Sequence, residues 1–373
     1  MTGTSRRSKD GSVTGSMSFV DMATEKADVD KERNDVSQAT FVKLRKVRFI
    51  PRRNRIVWLG YSEGRCAALW KRSEDSEGVE PFEELFRLQL EVDPFDICPM
   101  SSEMLCVSFS NGQISLLDCR DDELVKIREF QNVHGKGNAR VLCQFDSHKV
   151  ISGSSNGSLA TVDVETGDVS MIATGNSGVR SICTLSGGTL LASGHSAGHV
   201  LIWDCRQKSS KPASVFVPSK RRIDTITALT NHSAQASLIS FGTDLGTVGF
   251  CDIRGVSHSS TINSFDVATS TITQVGFHNE CGDHFVCASA DGSLVRWDVS
   301  GVIATNITSG SRPSPWLSES LSHNVELETL RCPSFGAVNG FAIDGTTIVA
   351  AIDMSMLCAY ENVSFPIGSK QKI

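Results

Sequence analysis

The clearest structural signal in the chain is a repeated segment, TLLASGHSAGHVLIWDCRQ (Thr189–Gln207), which recurs as HFVCASADGSLVRWDVSG (His284–Gly301). Each copy has an apolar run, a step of small residues, a turn, and a second apolar run that ends near an aspartate. Weaker copies occupy Met104–Arg120, Lys149–Gly167 and Ser237–Gly255. Self-similarity of this kind indicates a repeat architecture, in which each copy is one supersecondary unit.

The five copies share a turn glycine that is followed six residues later by an aspartate. The glycines are Gly112, Gly157, Gly198, Gly246 and Gly292, and the aspartates are Asp118, Asp163, Asp204, Asp252 and Asp298. Asn-Gly and Asp-Gly pairs suit hairpin turns that need positive φ. Trp203 and Trp297 precede the aspartate in the two strongest copies, which gives a Trp-Asp dipeptide. Successive glycines are 41 to 48 residues apart, close to the period of about 40–45 residues of a four-stranded WD40 blade.

Two further copies, Arg55–Lys71 and Thr347–Tyr360, bring the number of repeats to seven. The sequence therefore predicts an all-β protein, a seven-bladed WD40 β-propeller, over residues 41–365. Residues 1–40 are rich in Ser, Thr, Asp and Lys and predict a disordered tail. Residues 366–373 are predicted to be a short C-terminal tail. Because an open last blade leaves an unpaired edge, we expect Phe41–Leu44 to close it. We expect a strand at Leu85–Val92 in the first blade and the outer strand of the sixth blade at Val325–Leu330.

Composition excludes several classes of protein. The 373 residues carry a net charge of −6, which argues against direct binding of nucleic acid. No uninterrupted apolar run is long enough to cross a membrane, so no membrane insertion is expected. The twelve cysteines lie mostly in apolar runs without a CxxC pair, a pattern typical of free thiols in a reducing compartment.

One group of residues has the composition of a zinc site. His278, Cys281, His284 and Cys287 follow one another at intervals of three, and zinc binds both residue types. However, His284 and Cys287 bracket the start of a predicted strand, where odd offsets point to opposite faces. We therefore predict no metal, no cofactor and no catalytic residue, and with no catalytic motif elsewhere the chain is not expected to be an enzyme.

The repeated aspartates are interpreted as hydrogen-bonding groups of the blades, because they recur by register and do not converge on one site. A Pro/Ser-rich stretch within Ile303–Ser334 contains Trp316 and Leu317. Two interpretations of this pair stay open. It is either an interface anchor on a long loop, or it packs back onto its own blade.

Several segments resemble one family of propellers, the forty-three-kilodalton WD-repeat nucleoporins of the Y-complex, the outer-ring scaffold of the nuclear pore. The resemblance covers residues 41–365 and depends most on the order of its later segments. The segments are FVKLRKVRFIP (Phe41–Pro51), LIWDCRQKSSKPASVF (Leu201–Phe216), DGSLVRWDVS (Asp291–Ser300), PWLSES (Pro315–Ser320), VELETL (Val325–Leu330) and AVNGFAIDGTTIVAAID (Ala337–Asp353). The N-terminal tail and the acidic loop Ser73–Glu84 depart from the family.

The resemblance implies a structural subunit of the nuclear pore complex that docks other scaffold nucleoporins as one copy within a hetero-oligomer. It further implies roles in pore assembly and in mRNA and protein transport. The implied location is the nuclear envelope, with attachment to the kinetochores of chromosomes in mitosis.

An alternative function comes from a different class of protein. Trp203-Asp204-Cys205-Arg206 fits the WDxR pattern of substrate receptors of cullin-type ubiquitin ligases, and Asp252-Ile253-Arg254 and Asp118-Cys119-Arg120 fit it in part. In that case Arg206 and Arg254 would contact the ligase adaptor. The competing interpretation is that both arginines bind a neighbouring blade, and a third possibility is a propeller scaffold without a specialised role.

Overall fold

The computed structural model describes residues 35–73, 81–185, 188–207, 211–218, 223–254, 262–303 and 314–365. Over these ranges the chain forms seven antiparallel sheets of four strands each. The first strand of each sheet contacts the first strand of the next, and the last sheet contacts the first. This ring confirms the predicted seven-bladed β-propeller.

The first strand of the chain, β1 (Asp35–Ala39), belongs to the last blade. Blade 1 consists of β2 (Leu44–Phe49), β3 (Arg55–Gly60), β4 (Cys66–Arg72) and β5 (Phe82–Gln89). Blade 2 consists of β6 (Pro94–Pro99), β7 (Met104–Phe109), β8 (Ile114–Asp118) and β9 (Val125–Phe130). Blade 3 consists of β10 (Val141–Gln144), β11 (Lys149–Gly153), β12 (Leu159–Asp163) and β13 (Val169–Ala173).

Blade 4 consists of β14 (Val179–Thr184), β15 (Leu190–His195), β16 (Val200–Asp204) and β17 (Ser214–Phe216). Blade 5 consists of β18 (Ile226–Asn231), β19 (Leu238–Thr243), β20 (Thr247–Asp252) and β21 (Ile262–Asp266). Blade 6 consists of β22 (Ile272–Phe277), β23 (His284–Ser289), β24 (Leu294–Asp298) and β25 (Glu326–Arg331). Blade 7 contains β26 (Val338–Asp344), β27 (Thr347–Ile352) and β28 (Met356–Tyr360), with β1 at its outer edge.

Middle strands are apolar on both faces because each blade is packed between two neighbours. In β3, sequence RIVWLG, the five residues after Arg55 are buried. Trp58 packs with Val349 of blade 7 on one side, whereas Val57 packs with Leu105 of blade 2 on the other. Strands buried on both faces have near-continuous apolar sequences rather than alternating ones, which accounts for the apolar runs of the repeats.

The turn glycines allow each blade to touch the loop that enters the next blade. All five have φ between +77° and +91°, the region that favours glycine. A Cβ atom at Gly112 would lie closer than 3.0 Å to the carbonyl oxygen of Gly137, and one at Gly246 would overlap that of Ala268. The repeated glycine is therefore required by turn conformation and by contact between blades.

The ring is closed from the N-terminal side, but by a different strand from the one expected. Strand β1 pairs with β28 from Asp35 opposite Tyr360 to Ala39 opposite Met356. The expectation for Phe41–Leu44 is wrong, since Leu44 begins the innermost strand of blade 1. The propeller accordingly starts at residue 35 and not at 41. The closing strand is mostly polar because only Val36 packs against the core, so its sequence is hard to distinguish from a tail.

Two other boundaries differ from the expected ones. The outer strand of blade 6 is Glu326–Arg331, within one residue of the expected Val325–Leu330, and it follows a one-turn helix, α1 (Leu321–Asn324). The outer strand of blade 1 begins at Phe82 instead of Leu85. The two predicted tails lie outside the described residues, except for residues 35–40. Residues 74–80 of the acidic loop and residues 304–313 also lie outside them.

All twelve cysteines are free thiols, and nine of them are buried. Burial raises the pKa of Cys106 and Cys287 to about 12. In the part of the chain that the structure describes, no helix is long and apolar enough to cross a membrane.

Two truncations test the closing strand. A chain that starts at residue 35 keeps β1, whereas one that starts at residue 41 loses it and leaves the β28 edge unpaired. We expect the second chain to melt at least about 5 °C below the first in thermal unfolding followed by circular dichroism. Equal melting temperatures of the two truncated chains would contradict closure by β1.

Candidate functional site

The two faces of the ring carry different groups. We call one the glycine-turn face, because it carries the five glycine turns and the loops that enter the next blade. Hydrogen bonds join these two sets of loops: the Ser110 amide donates to the Asp93 carbonyl at 3.0 Å, and the Ala139 amide to that of Phe109 at 3.1 Å. The opposite face carries the five aspartates at the ends of third strands, and we call it the aspartate face.

Each repeated aspartate fixes its own turn. Its Oδ1 atom accepts a hydrogen bond from the backbone N–H two residues further on, at 2.9–3.1 Å. The aspartates are Asp118, Asp163, Asp204, Asp252 and Asp298. Such a bond is an Asx turn, which orders the chain locally. Each aspartate therefore stabilises the turn of its own blade, and the five do not form a common site.

The arginines of the WDxR pattern lie on the aspartate face. Arg206 donates to both carboxylate oxygens of Asp204, at 2.9 and 2.7 Å, and Arg254 does the same with Asp252, at 3.1 and 2.7 Å. Hydrogen bonds from Arg206 lower the pKa of Asp204 to about 2. The competing interpretation, a bond to a neighbouring blade, is wrong in detail, because each arginine binds the aspartate of its own turn.

The tryptophans of the two strongest repeats are structural. Trp203 Nε1–H donates to Ser193 Oγ at 2.8 Å, and that hydroxyl also bonds Nε2 of His195 at 2.8 Å. His195 Nδ1 in turn bonds the Ser177 carbonyl at 2.9 Å, which links blade 4 to the loop that enters it. Trp297 is fully buried between blades 5 and 6.

Trp316 and Leu317 are buried in the core, with 0% and 4% of their surface exposed. The Trp316 ring packs against Phe250 of blade 5 at 4.6 Å and Phe277 of blade 6 at 5.3 Å. Its Nε1–H donates to the Gly282 carbonyl at 2.9 Å. The interface-anchor interpretation is therefore wrong. The segment packs back, and it covers the junction of two blades rather than its own blade alone.

Replacement of Trp316 tests this structural role. Trp316→Ala removes a large buried side chain, so we expect the free energy of unfolding to fall by about 3–5 kcal/mol. Urea unfolding followed by fluorescence measures it, and the control is Phe335→Ala, at a fully exposed position. A loss equal to that of the control would contradict burial of Trp316.

The zinc-like residues have other contacts. His278 Nδ1 accepts from the Cys281 amide at 3.1 Å, and its Nε2 bonds the Gly345 carbonyl at 3.0 Å. Burial keeps the Cys287 thiol protonated by raising its pKa, and His284 lies 3.5 Å from Asp298. Among the described residues no group of three or more His, Cys, Asp or Glu side chains is arranged to hold a metal ion.

Large apolar side chains are exposed on the glycine-turn face. We call the five most exposed of them the apolar rim; they are Phe41, Ile223, Leu245, Phe335 and Met354. The loops that carry Phe41, Phe335 and Met354 are in contact, since the Thr40 amide donates to the Ser355 carbonyl at 2.8 Å and Gly336 lies beside the Met354 side chain. Aromatic and Met residues are enriched at protein interfaces, so this face has the properties of a docking surface.

Sequence reasoning missed the apolar rim, although a signal was present. In three repeats the residue before the turn glycine is polar, Asn111, Asn156 and Asp291, but in blade 5 it is Leu245. Blade 7 has Met354 and Ser355 in the equivalent turn. An apolar residue at a turn tip where other repeats have Asn or Asp indicates a role outside the fold.

The mouth of the central channel lies within the same face. The channel encloses a cavity of about 280 Å³, and five of its lining side chains are basic: Arg45, Lys46, Arg48, Arg140 and Arg180. Asp96 is its one acidic lining residue in the described part of the chain. Burial lowers the pKa of Arg140 to about 10, helped by Arg180 and Arg45.

A buried histidine anchors the loop that leads to Arg140. The ring nitrogens of His134 bond Ser158 Oγ at 2.7 Å and Ser152 Oγ at 2.8 Å. Burial lowers the pKa of His134 from 6.5 to about 4. Between pH 6.5 and about 4, His134 is therefore neutral in the folded chain and protonated in the unfolded chain.

The stability contributed by neutral His134 is complete above pH 6.5 and is lost as the pH falls towards 4. The loss is on the order of 3 kcal/mol. We expect His134→Gln, which keeps polar partners for the two serines, to flatten the pH dependence of unfolding by urea between pH 7 and 4.5. The control His148→Gln, on the surface, should keep the wild-type slope, and an unchanged slope in His134→Gln would contradict this account.

Comparison with known proteins agrees with the fold. No family model and no curated protein sequence matches the chain. A chain of the crystal structure of the mitotic checkpoint complex is similar in fold, with a TM-score of 0.66 and 17% identity over 90% of this chain and 97% of that one. In all, 1846 solved chains match, so the architecture is common and does not by itself specify a function. The fold defines the architectural class, a seven-bladed β-propeller.

Proposed function

We propose that the chain is a non-enzymatic structural subunit of the outer-ring Y-complex of the nuclear pore. It docks another scaffold nucleoporin through the glycine-turn face. The observation that carries the docking surface is the apolar rim, where Phe41 is 91% exposed and Phe335 fully so. Exposed aromatic residues on adjoining loops favour burial against a partner, at roughly 25 cal/mol per Å² of apolar surface removed from water.

The choice of partner is supported by the family segments. PWLSES (Pro315–Ser320) lies at the junction of blades 5 and 6, and VELETL (Val325–Leu330) forms most of the outer strand of blade 6. Ala337–Asp353 forms the first two strands of blade 7, β26 and β27. The segments with the most specific order thus occur in the blades that flank Phe335 and Met354. Pore assembly, transport and kinetochore attachment in mitosis belong to the same proposal.

A tagged chain followed through the cell cycle, with mass spectrometry of copurifying proteins, tests this proposal. We expect a signal at the nuclear rim and scaffold nucleoporins in near-equal amounts. Phe41→Glu with Phe335→Glu should abolish both. The matched control is Val125→Glu with Ile127→Glu, at exposed positions of β9 on the circumference, and it should abolish neither. A diffuse wild-type signal without scaffold nucleoporins would contradict the proposal.

The second candidate is a substrate receptor of a cullin-type ubiquitin ligase. The observation that favours it is the shared geometry of Arg206 and Arg254, which Arg120 repeats on Asp118; all three lie on the aspartate face and are about half or more exposed. Arg206→Ala with Arg254→Ala should remove a cullin adaptor from the copurified proteins if this candidate is correct. Scaffold nucleoporins retained by the same variant would favour the nuclear pore.

A further inference from the structure

The central channel carries a charge opposite to that of the chain. The whole protein has a net charge of −6, yet the described lining residues include five basic side chains and one carboxylate. That carboxylate already has partners. Asp96 Oδ1 accepts from the Ile97 amide at 2.9 Å, and its Oδ2 accepts from the Leu142 amide at 3.0 Å. It also lies 3.7 Å from Arg48 and acts electrostatically on Lys46, so it leaves Arg45, Arg140 and Arg180 uncompensated.

Three of the arginines have no acidic partner among the described residues: Arg45, Arg140 and Arg180. Aromatic rings position two of them. The Arg45 guanidinium lies over Tyr61 at 4.3 Å, and both Arg45 and Arg140 lie over Phe95, at 5.4 and 5.5 Å. Stacking fixes the plane of a guanidinium and leaves its N–H donors available at the edge. The Nε atom of Arg45 is buried without any hydrogen-bond partner.

Repeat register brings these arginines to one level of the channel. Arg45 and Arg180 each lie where the first strand of a blade shifts register, in β2 and in β14. Arg140 lies at the corresponding entry to β10, where its amide donates to the Gly153 carbonyl at 2.9 Å. Blades 5 and 6 have Thr227 and Thr273 at the same position. One side of the mouth is therefore basic and the other is neutral.

We propose that the channel mouth on the glycine-turn face binds a small ligand that carries several phosphate groups. Guanidinium groups bind phosphate through two parallel N–H···O bonds, and three such groups share this mouth. A volume of about 280 Å³ suits a compact anion. A polyphosphate concentrates several negative charges in such a volume, whereas carboxylates on one face of an extended peptide are almost 7 Å apart along its backbone. This site goes beyond the proposed function and does not depend on it.

The electrostatics of the channel support the site. Burial lowers the pKa of Lys46 to about 8, with Arg48 and Arg45 acting in the same direction against Asp96. A bound polyanion would relieve this repulsion. A second cavity, of about 210 Å³ between blades 1 and 7, lacks such an excess. There Arg55 pairs with Asp122 at 2.8 Å and Arg72 with Glu361 at 2.6 Å.

Titration calorimetry with tripolyphosphate, at an ionic strength of about 0.15 M to screen surface charges, tests the proposal. We expect binding by the full chain in the micromolar range and a rise in melting temperature with added ligand. Arg140→Gln with Arg180→Gln should weaken binding at least tenfold. Arg206→Gln with Arg254→Gln removes the same charge from the opposite face and should change the affinity less than twofold.

Each other outcome overturns the site. A dissociation constant above 1 mM for the wild-type chain, or equal weakening by the two double variants, would mean that no specific anion site exists. Binding of a hexaglutamate peptide in preference to tripolyphosphate would assign the mouth to an acidic peptide instead. Melting temperatures of both double variants without ligand test whether they fold. If Arg140→Gln with Arg180→Gln does not fold, the single variant Arg180→Gln replaces it, with an expected loss of affinity for tripolyphosphate of at least threefold.

Discussion

The whole ring depends on each blade burying both of its faces against neighbours, because a single four-stranded blade with apolar side chains on both faces is not stable alone. Closure therefore matters as much as any local contact. Here it is provided by five residues of β1, paired with β28. Close approach between blades adds a second requirement, met at Gly112 and Gly246 by residues without a Cβ atom next to the entering loops. The repeated sequence pattern is a consequence of these two requirements.

Most of the fold could be predicted from the sequence because the same pattern of strands and turns recurs in several repeats, so each copy supports the assignment of the others. The features that were mispredicted occur once. Strand β1 lies at an edge and buries only Val36, so it lacks the apolar run of an inner strand. Trp316 follows a Pro/Ser-rich stretch with no periodicity, and only the three-dimensional structure shows that it packs on Phe250. The arginines of the channel lie in different blades, and only the closed ring brings them together.

The two faces differ in whether their charged groups are paired and in how many large apolar side chains they expose. On the aspartate face, turns close on themselves, as Arg206 does on Asp204. The aspartate face has one strongly exposed large apolar side chain among the described residues, Ile303, whereas the glycine-turn face combines the five of the apolar rim with arginines that lack acidic partners in the described part of the chain. Exposed apolar side chains and uncompensated arginines on one face indicate a surface that binds another molecule. Fold similarity contributes only the architecture, so the functional conclusion depends on this asymmetry.

Hydrogen–deuterium exchange of the chain, free and within the complex that copurifies with it, tests most directly whether the glycine-turn face is the docking surface. We expect slower exchange on binding in the loops around Phe41, Phe335 and Met354, with little change in the turns after Asp204 and Asp252. Protection confined to the turns after Asp204 and Asp252 would contradict it and would assign docking to the aspartate face.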